Sequence, residues 1–183
     1  MTVKTTKVIG RRRLRFSSLD EVLMEAEHLA VIEIRQLGNW SLGQALSHLA
    51  AVYEKSIDGT VFRPGLLLRV LTKVGGPLLK RWARVGLPAG IRPPAFMFNE
   101  VAPAERVSLA EGLAAFRRAI GRLKAESKRD FQQCASVFTR EEWDQFHMRH
   151  AELHLSFLVP ADCGTQPQPT SEPVLAADSI IDL

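Results

Sequence analysis

Ser108-Leu109-Ala110-Glu111-Gly112-Leu113-Ala114-Ala115-Phe116-Arg117-Arg118-Ala119-Ile120-Gly121-Arg122-Leu123 carries the pattern from which the fold class follows. Ser108 can accept a hydrogen bond from the backbone N–H three residues on, while Glu111 reaches back to the cap, the reciprocal arrangement that opens helices. Leu109, Leu113, Phe116, Ile120 and Leu123 then step by 4, 3, 4 and 3, the apolar seam of an antiparallel helical bundle. The same signature recurs elsewhere. Ser18 with Glu21 opens a run of Leu19, Val22, Leu23, Ala26, Leu29 and Ala30, stopped by Gly38. Ser41 with Gln44 opens a second run through Leu42, Ala45, Leu46, Leu49, Val52 and Tyr53, with Trp40 before the cap placed to pack back as a staple and Asp58-Gly59 at the end. Thr139 with Glu142 opens the last helix, which is expected to reach about Leu158.

Between these, Pro64 precedes an apolar stretch from Leu66 to Leu71 that Gly75-Gly76-Pro77 should break, leaving Leu78 to Val85 as one or two further turns. Four of the ten prolines fall between Gly86 and Pro103, which reads as a long ordered loop. Residues 1–16 form a basic lead-in, residues 17–158 the helical domain, and residues 159–183 a Pro-rich acidic tail expected to be disordered. Strand alternation of useful length and internal repeats are absent, so the expected class is an all-α four-helix bundle.

Composition agrees. At 183 residues and 46% hydrophobic, the chain can bury one substantial core, and 7% aromatics with one Tyr suit helix-on-helix packing by Leu, Ala and Val. Cys134 and Cys163 match no zinc-ribbon or redox spacing, which points to a reducing compartment. No stretch approaches the run of about 18 apolar residues that spans a bilayer, so no membrane partner is expected. Arg11-Arg12-Arg13 has the look of a twin-arginine export signal, but Phe16-Ser17-Ser18-Leu19-Asp20-Glu21 stands where its apolar region should be; the expectation is a cytoplasmic protein. The net charge is +4, and because the tail holds four acids and no base, the rest carries all 24 bases against 16 acids. That excess reads as a solvated surface rich in Arg. Helix-turn-helix and stacking-aromatic signatures are missing, so nucleic acid is not an expected partner.

Chemistry concentrates in Trp143-Asp144-Gln145-Phe146-His147-Met148-Arg149-His150-Ala151-Glu152-Leu153-His154-Leu155-Ser156-Phe157. At about 100° per residue, Trp143, Phe146, His150, Leu153, His154 and Phe157 share one face. Imidazoles in an apolar stripe need partners, since an unpaired buried ring costs about 1–3 kcal/mol. Spacing i, i+4 lets both rings bind one cation. A third ligand must come from another helix, and His48, bordering the apolar arc of its helix, is the natural candidate. His28 lies off its stripe and reads as exposed. His147 is about 10 Å from His154 along the axis, too far to share one ion, and is expected behind the ligands or at the surface. Ala151 stands where a zincin would carry its catalytic Glu, which excludes that class.

Two of these segments together resemble a known family. Leu37-Gly38-Asn39-Trp40-Ser41-Leu42 through His48-Leu49 is similar to the opening of the second helix in the DinB-like (YfiT-like) metalloenzyme superfamily. Glu142-Trp143 through His150-x-x-x-His154-Leu155 resembles that superfamily's last bundle helix. The likeness covers about residues 10–158. It implies an up-down-down-up bundle, often a homodimer, with His48, His150 and His154 holding zinc, nickel or iron. Leu153 stands where many members pair a second His, and Gln133-Cys134-Ala135-Ser136-Val137-Phe138 stands where a His-Pro-x-Phe-Gly stretch is expected. Characterised relatives use low-molecular-weight thiols, so the resemblance makes a metal-dependent thiol transferase the leading enzymatic reading and a metal-dependent hydrolase the next. Lys80, Arg81 and Arg84 are candidates to receive an acidic cosubstrate, while Asp58, Glu142, Asp144 and Glu152 read as surface carboxylates. A non-catalytic bundle with structural or no metal, acting as a stress-response or binding module, is the reading from another class.

Overall fold

The structure, a computed structural model, describes residues 2–59, 66–91, 95–126 and 138–161, with the backbone alone described at 66–69, 71–73 and 96–97. Cys134, Cys163, residues 133–137 and the tail from 162 onward, each given a reading above, lie outside them. The described chain is predominantly helical: α1 (Leu19–Val31), α2 (Leu42–Asp58), α3 (Leu66–Val85), α4 (Ala95–Phe98), α5 (Leu109–Ala125) and α6 (Arg140–Leu155). A 3-10 turn at Thr5–Lys7 precedes them. Among the described residues, no helix is long and apolar enough to cross a membrane.

The caps form where the sequence places them. Ser41 with Gln44, Ser108 with Glu111 and Thr139 with Glu142 are reciprocal capping boxes. At α1, Ser18 accepts from the Glu21 backbone as expected, but the Glu21 carboxylate reaches one residue further, to the backbone N–H of Ser17. Gly59, with φ +81°, ends α2 in the left-handed region that favours glycine.

Two expectations for the backbone are corrected. α1 stops at Val31, well before Gly38, and the β-branched residues that follow extend into strand β1 (Ile34–Gln36). β1 pairs antiparallel with β2 (Leu158–Pro160), Arg35 opposite Val159, so the last helix also ends three residues early. β-branched side chains fit a pleated strand more readily than a helical turn, and the two strands pair with each other. α3 is the second correction. It runs unbroken through Gly75-Gly76-Pro77, with Pro77 inside the helix and its face laid against α6. Tertiary packing here outweighs the helix-breaking tendency of proline.

The core gathers Val22, Ala26 and Leu29 of α1, Leu46, Leu49 and Tyr53 of α2, Phe116, Ile120 and Leu123 of α5, and Leu155 and Leu158 near the end of α6. Leu109, the first residue of α5, is exposed, so the seam starts at Leu113. α2 and α5 approach most closely at their N-terminal ends. A Cβ on Gly112 would lie 2.3 Å from the Gly43 carbonyl oxygen, and one on Gly43 would lie 2.6 Å from that of Val107. The basic lead-in is packed against the helices. Phe16 is buried, its N–H donates to Glu152 (2.6 Å) and its carbonyl accepts from Arg149.

Candidate metal centre

Three histidines meet between α2 and the last two turns of α6. His48 Nε2 lies 3.4 Å from His150 Nε2, and His154 Nε2 lies 2.9 Å from the same atom. The ligand atoms of the three all lie within 4.8 Å of one another. Four-residue spacing stacks His150 and His154 on one face of α6, and the packing of α2 against α6 brings His48 to them across 102 residues of sequence. A tetrahedral zinc with bonds of about 2.0–2.1 Å separates neighbouring ligand nitrogens by roughly 3.4 Å. The His48–His150 spacing of 3.4 Å is of that size, the His150–His154 spacing of 2.9 Å is shorter, and the remaining pair lies within 4.8 Å.

The rings are set to present lone pairs to one point. His48 Nδ1 is 2.8 Å from the Val101 carbonyl and must donate to it, which leaves Nε2 as the acceptor facing the other two rings. His150 is held by Phe146, ring centroids 5.7 Å apart, and its Nδ1 is buried with no hydrogen-bond partner among the described residues. Trp40 stacks on His154 at 5.1 Å, tilts against His48 at 4.8 Å and has Phe98 on its far side. Trp40 thus packs back on its own helix at His48 and at the same time walls the site. Burial is the first cause that pushes all three imidazoles below the ordinary histidine range. The Val101 hydrogen bond partly opposes it at His48, neighbouring rings add to it at His150, and His48 and then Arg11 add to it at His154. Neutral imidazoles at converging Nε2 atoms are the donor set that a divalent ion of borderline softness takes, and the group could hold such an ion.

The other histidines separate as geometry requires. His28 is exposed. His147 is fully buried on the same face of α6 about a turn before His150, where it meets the C-terminal half of α2, its Nε2 2.9 Å from Ser56 Oγ and its ring against Tyr53 at 4.5 Å. Ser56 donates to the Tyr53 carbonyl (2.7 Å), so His147 Nε2 is the donor in that contact, and the Tyr53 hydroxyl donates back to the His147 carbonyl (3.0 Å). The Tyr53 phenol is raised by burial first and by Asp144 second.

Several charged residues stand elsewhere than expected. Lys80 (2.9 Å) and Arg84 (3.7 Å) pair with Glu142 at the start of α6, so these cations already have an acidic partner. Glu152 is buried, paired with Arg149 at 3.1 Å, where its spacing had suggested a surface carboxylate. Burial raises its pKa despite the Phe16 N–H and Arg149. Arg11 was not singled out from sequence as part of the site. Its Nε (3.1 Å) and Nη2 (2.7 Å) donate to Ser156 Oγ, two residues beyond His154, and its guanidinium lies 4.1 Å over the Phe157 ring.

The fold and site define a mostly helical protein whose two helices α2 and α6 bring three histidines together. More particularly, the chain belongs to the family described as Protein of unknown function (DUF1569), whose profile matches residues 8–161. Neither the curated proteins nor the solved structures gave a match.

Proposed function

We propose that this protein binds one divalent metal ion through Nε2 of His48, His150 and His154 and uses a free coordination position for a small substrate. The observation that carries the reading is the convergence of three Nε2 atoms, with the Val101 carbonyl fixing the His48 tautomer. Zinc, nickel and iron all suit three imidazoles. A bound ion with an open position supplies Lewis acidity, by which a thiol is held as thiolate or a water becomes more acidic. The chain's own residues orient and enclose: Val101 holds His48, and Trp40, Phe98 and Phe146 give the rings an apolar surround. The DinB-like resemblance supports residues 17–158 as an up-down-down-up four-helix bundle, built here from α1, α2, α5 and α6, in a cytoplasmic homodimer. It also favours transfer of a low-molecular-weight thiol over hydrolysis as the reaction. Capping boxes at three of the four helices and the packing of α5 on α1 and α2 accord with that topology.

Elemental analysis of protein purified without a histidine tag tests the reading. About one ion per chain is expected, falling below about a tenth in His150→Ala while circular dichroism shows the helices retained. A metal-free wild type overturns it. Unfolding of the chain on removal of the ion with a chelator would assign the metal a structural role instead.

A further inference from the structure

Among the described residues, most buried or half-buried cations have a carboxylate. Arg12 pairs with Glu25, Arg149 with Glu152 and Lys55 with Glu100. Arg11 does not. Half-buried, it is held by two hydrogen bonds to the neutral Ser156 hydroxyl and by the face of Phe157, with no acidic partner among the described residues. Ser156 itself donates to the Leu153 carbonyl (2.7 Å), so its hydroxyl is committed to receiving Arg11 and the guanidinium is aimed rather than free to swing. The N-terminal segment that carries Arg11 is tied down on either side, at Arg12 N–H to the Ser156 carbonyl (3.0 Å) and at Val3 to the Asn39 side chain (2.7 Å). Asn39 precedes Trp40, the ring that walls the histidines. The segment therefore borders the site at two points.

The electrostatics have one sign. The neighbouring histidines disfavour the protonated ring of His150, and His48 and then Arg11 do the same at His154. Three neutral ligands leave the charge of a divalent ion uncompensated, and Arg11 adds a further positive charge beside His154. A site of this composition is completed by an anion. Arginine's planar donors match a carboxylate, and Nη1 carries none of the hydrogen bonds to Ser156.

We infer that Arg11 is the recognition group for a carboxylate-bearing small ligand whose second donor atom fills the open position at His48, His150 and His154. The inference rests on the metal reading above and names the class of ligand for it. A role limited to closing the C-terminal end of α6, where a cation is favourable, would be indifferent to ligand charge. That contrast supplies the test.

The full chain, loaded with cobalt(II), is titrated with 2-mercaptoacetate and with its neutral analogue 2-mercaptoacetamide, and affinity is read from the visible bands of the metal. Both probes offer the same thiol and differ in the carboxylate. The wild type is expected to favour the acid by about tenfold or more, the worth of one charge-assisted hydrogen bond. Arg11→Gln is expected to bind cobalt and the amide as before and to lose that preference. Where Arg11→Gln does not fold, Arg11→Met, which keeps a long apolar stem against Phe157 without the charge, decides: equal affinity for the two probes with cobalt still bound supports recognition by Arg11, and an undiminished preference for the acid overturns it. Cobalt bands with an unchanged preference in Arg11→Gln overturn this inference alone. Absence of cobalt binding in the wild type overturns the metal reading, and this inference with it.

Discussion

Three residues separate His147 from His150 on α6, yet their rings meet different partners. His150 faces His48 and His154, whereas His147 turns to Ser56 and Tyr53 in a fully buried polar contact. That contact belongs to the core, and its loss should be felt as stability. Ser56→Ala leaves the His147 Nε2 proton without its acceptor, and a cost of about 1–3 kcal/mol is expected in denaturant unfolding, with metal content unchanged by elemental analysis. A parallel fall in metal content would place His147 in the site instead. Trp40 teaches the complementary lesson. Its position before a cap predicts packing back on α2, and the ring does so at His48; that it also stacks on His154 and Phe98 depends on α6 and α4 and has no local signal.

Helix starts were legible because capping is local: the donor and acceptor lie three residues apart, and Ser41, Ser108 and Thr139 behave accordingly. Helix ends were less so. Val31, Ile32 and Ile34 are β-branched, but residues 31–37 are too short to declare a strand until β2 supplies the opposite edge more than 120 residues later. The same holds for α3, whose passage through Pro77 depends on α6 lying against it. The crossing of α2 and α5 makes a sharper demand. Gly112→Ala places a methyl 2.3 Å from a backbone oxygen, which no side-chain rotation relieves, and should cost about 1–3 kcal/mol or more by thermal unfolding. Gly121→Ala, on the same helix with nothing within 4 Å of its Cβ, should be neutral or stabilise by up to about 1 kcal/mol. Equal effects at the two positions would contradict the close approach.

At the scale of the whole molecule, α6 is packed on several sides. It touches α1, α2 and α3, and buries Arg149 and Glu152 under the N-terminal segment as well as His150 toward α2. A helix packed on several sides carries polar residues inward wherever a partner meets them, so its burial could not be read from one apolar stripe. The three clustered histidines give the molecule a pH dependence of definite sign. Each has a folded pKa below its unfolded value, so stability in the metal-free chain is complete above about pH 6.5 and is lost as pH falls through and below that value. Thermal melts from pH 8 to 5 should show the midpoint falling on the acid side, and His150→Ala should flatten the fall; a midpoint that rises on acidification would refute the assignment. By itself the sequence determined the helical class, the capped helix starts and the four-residue spacing of His150 and His154, all of which depend on residues within a turn or two of each other. The tertiary structure alone decided that His48 meets them, that Arg11 stands beside them unneutralised, and that Glu152 is inside. Those outcomes depend on contacts across a hundred residues or more, where burial and charge are set by what packs opposite, a partner that no local pattern encodes.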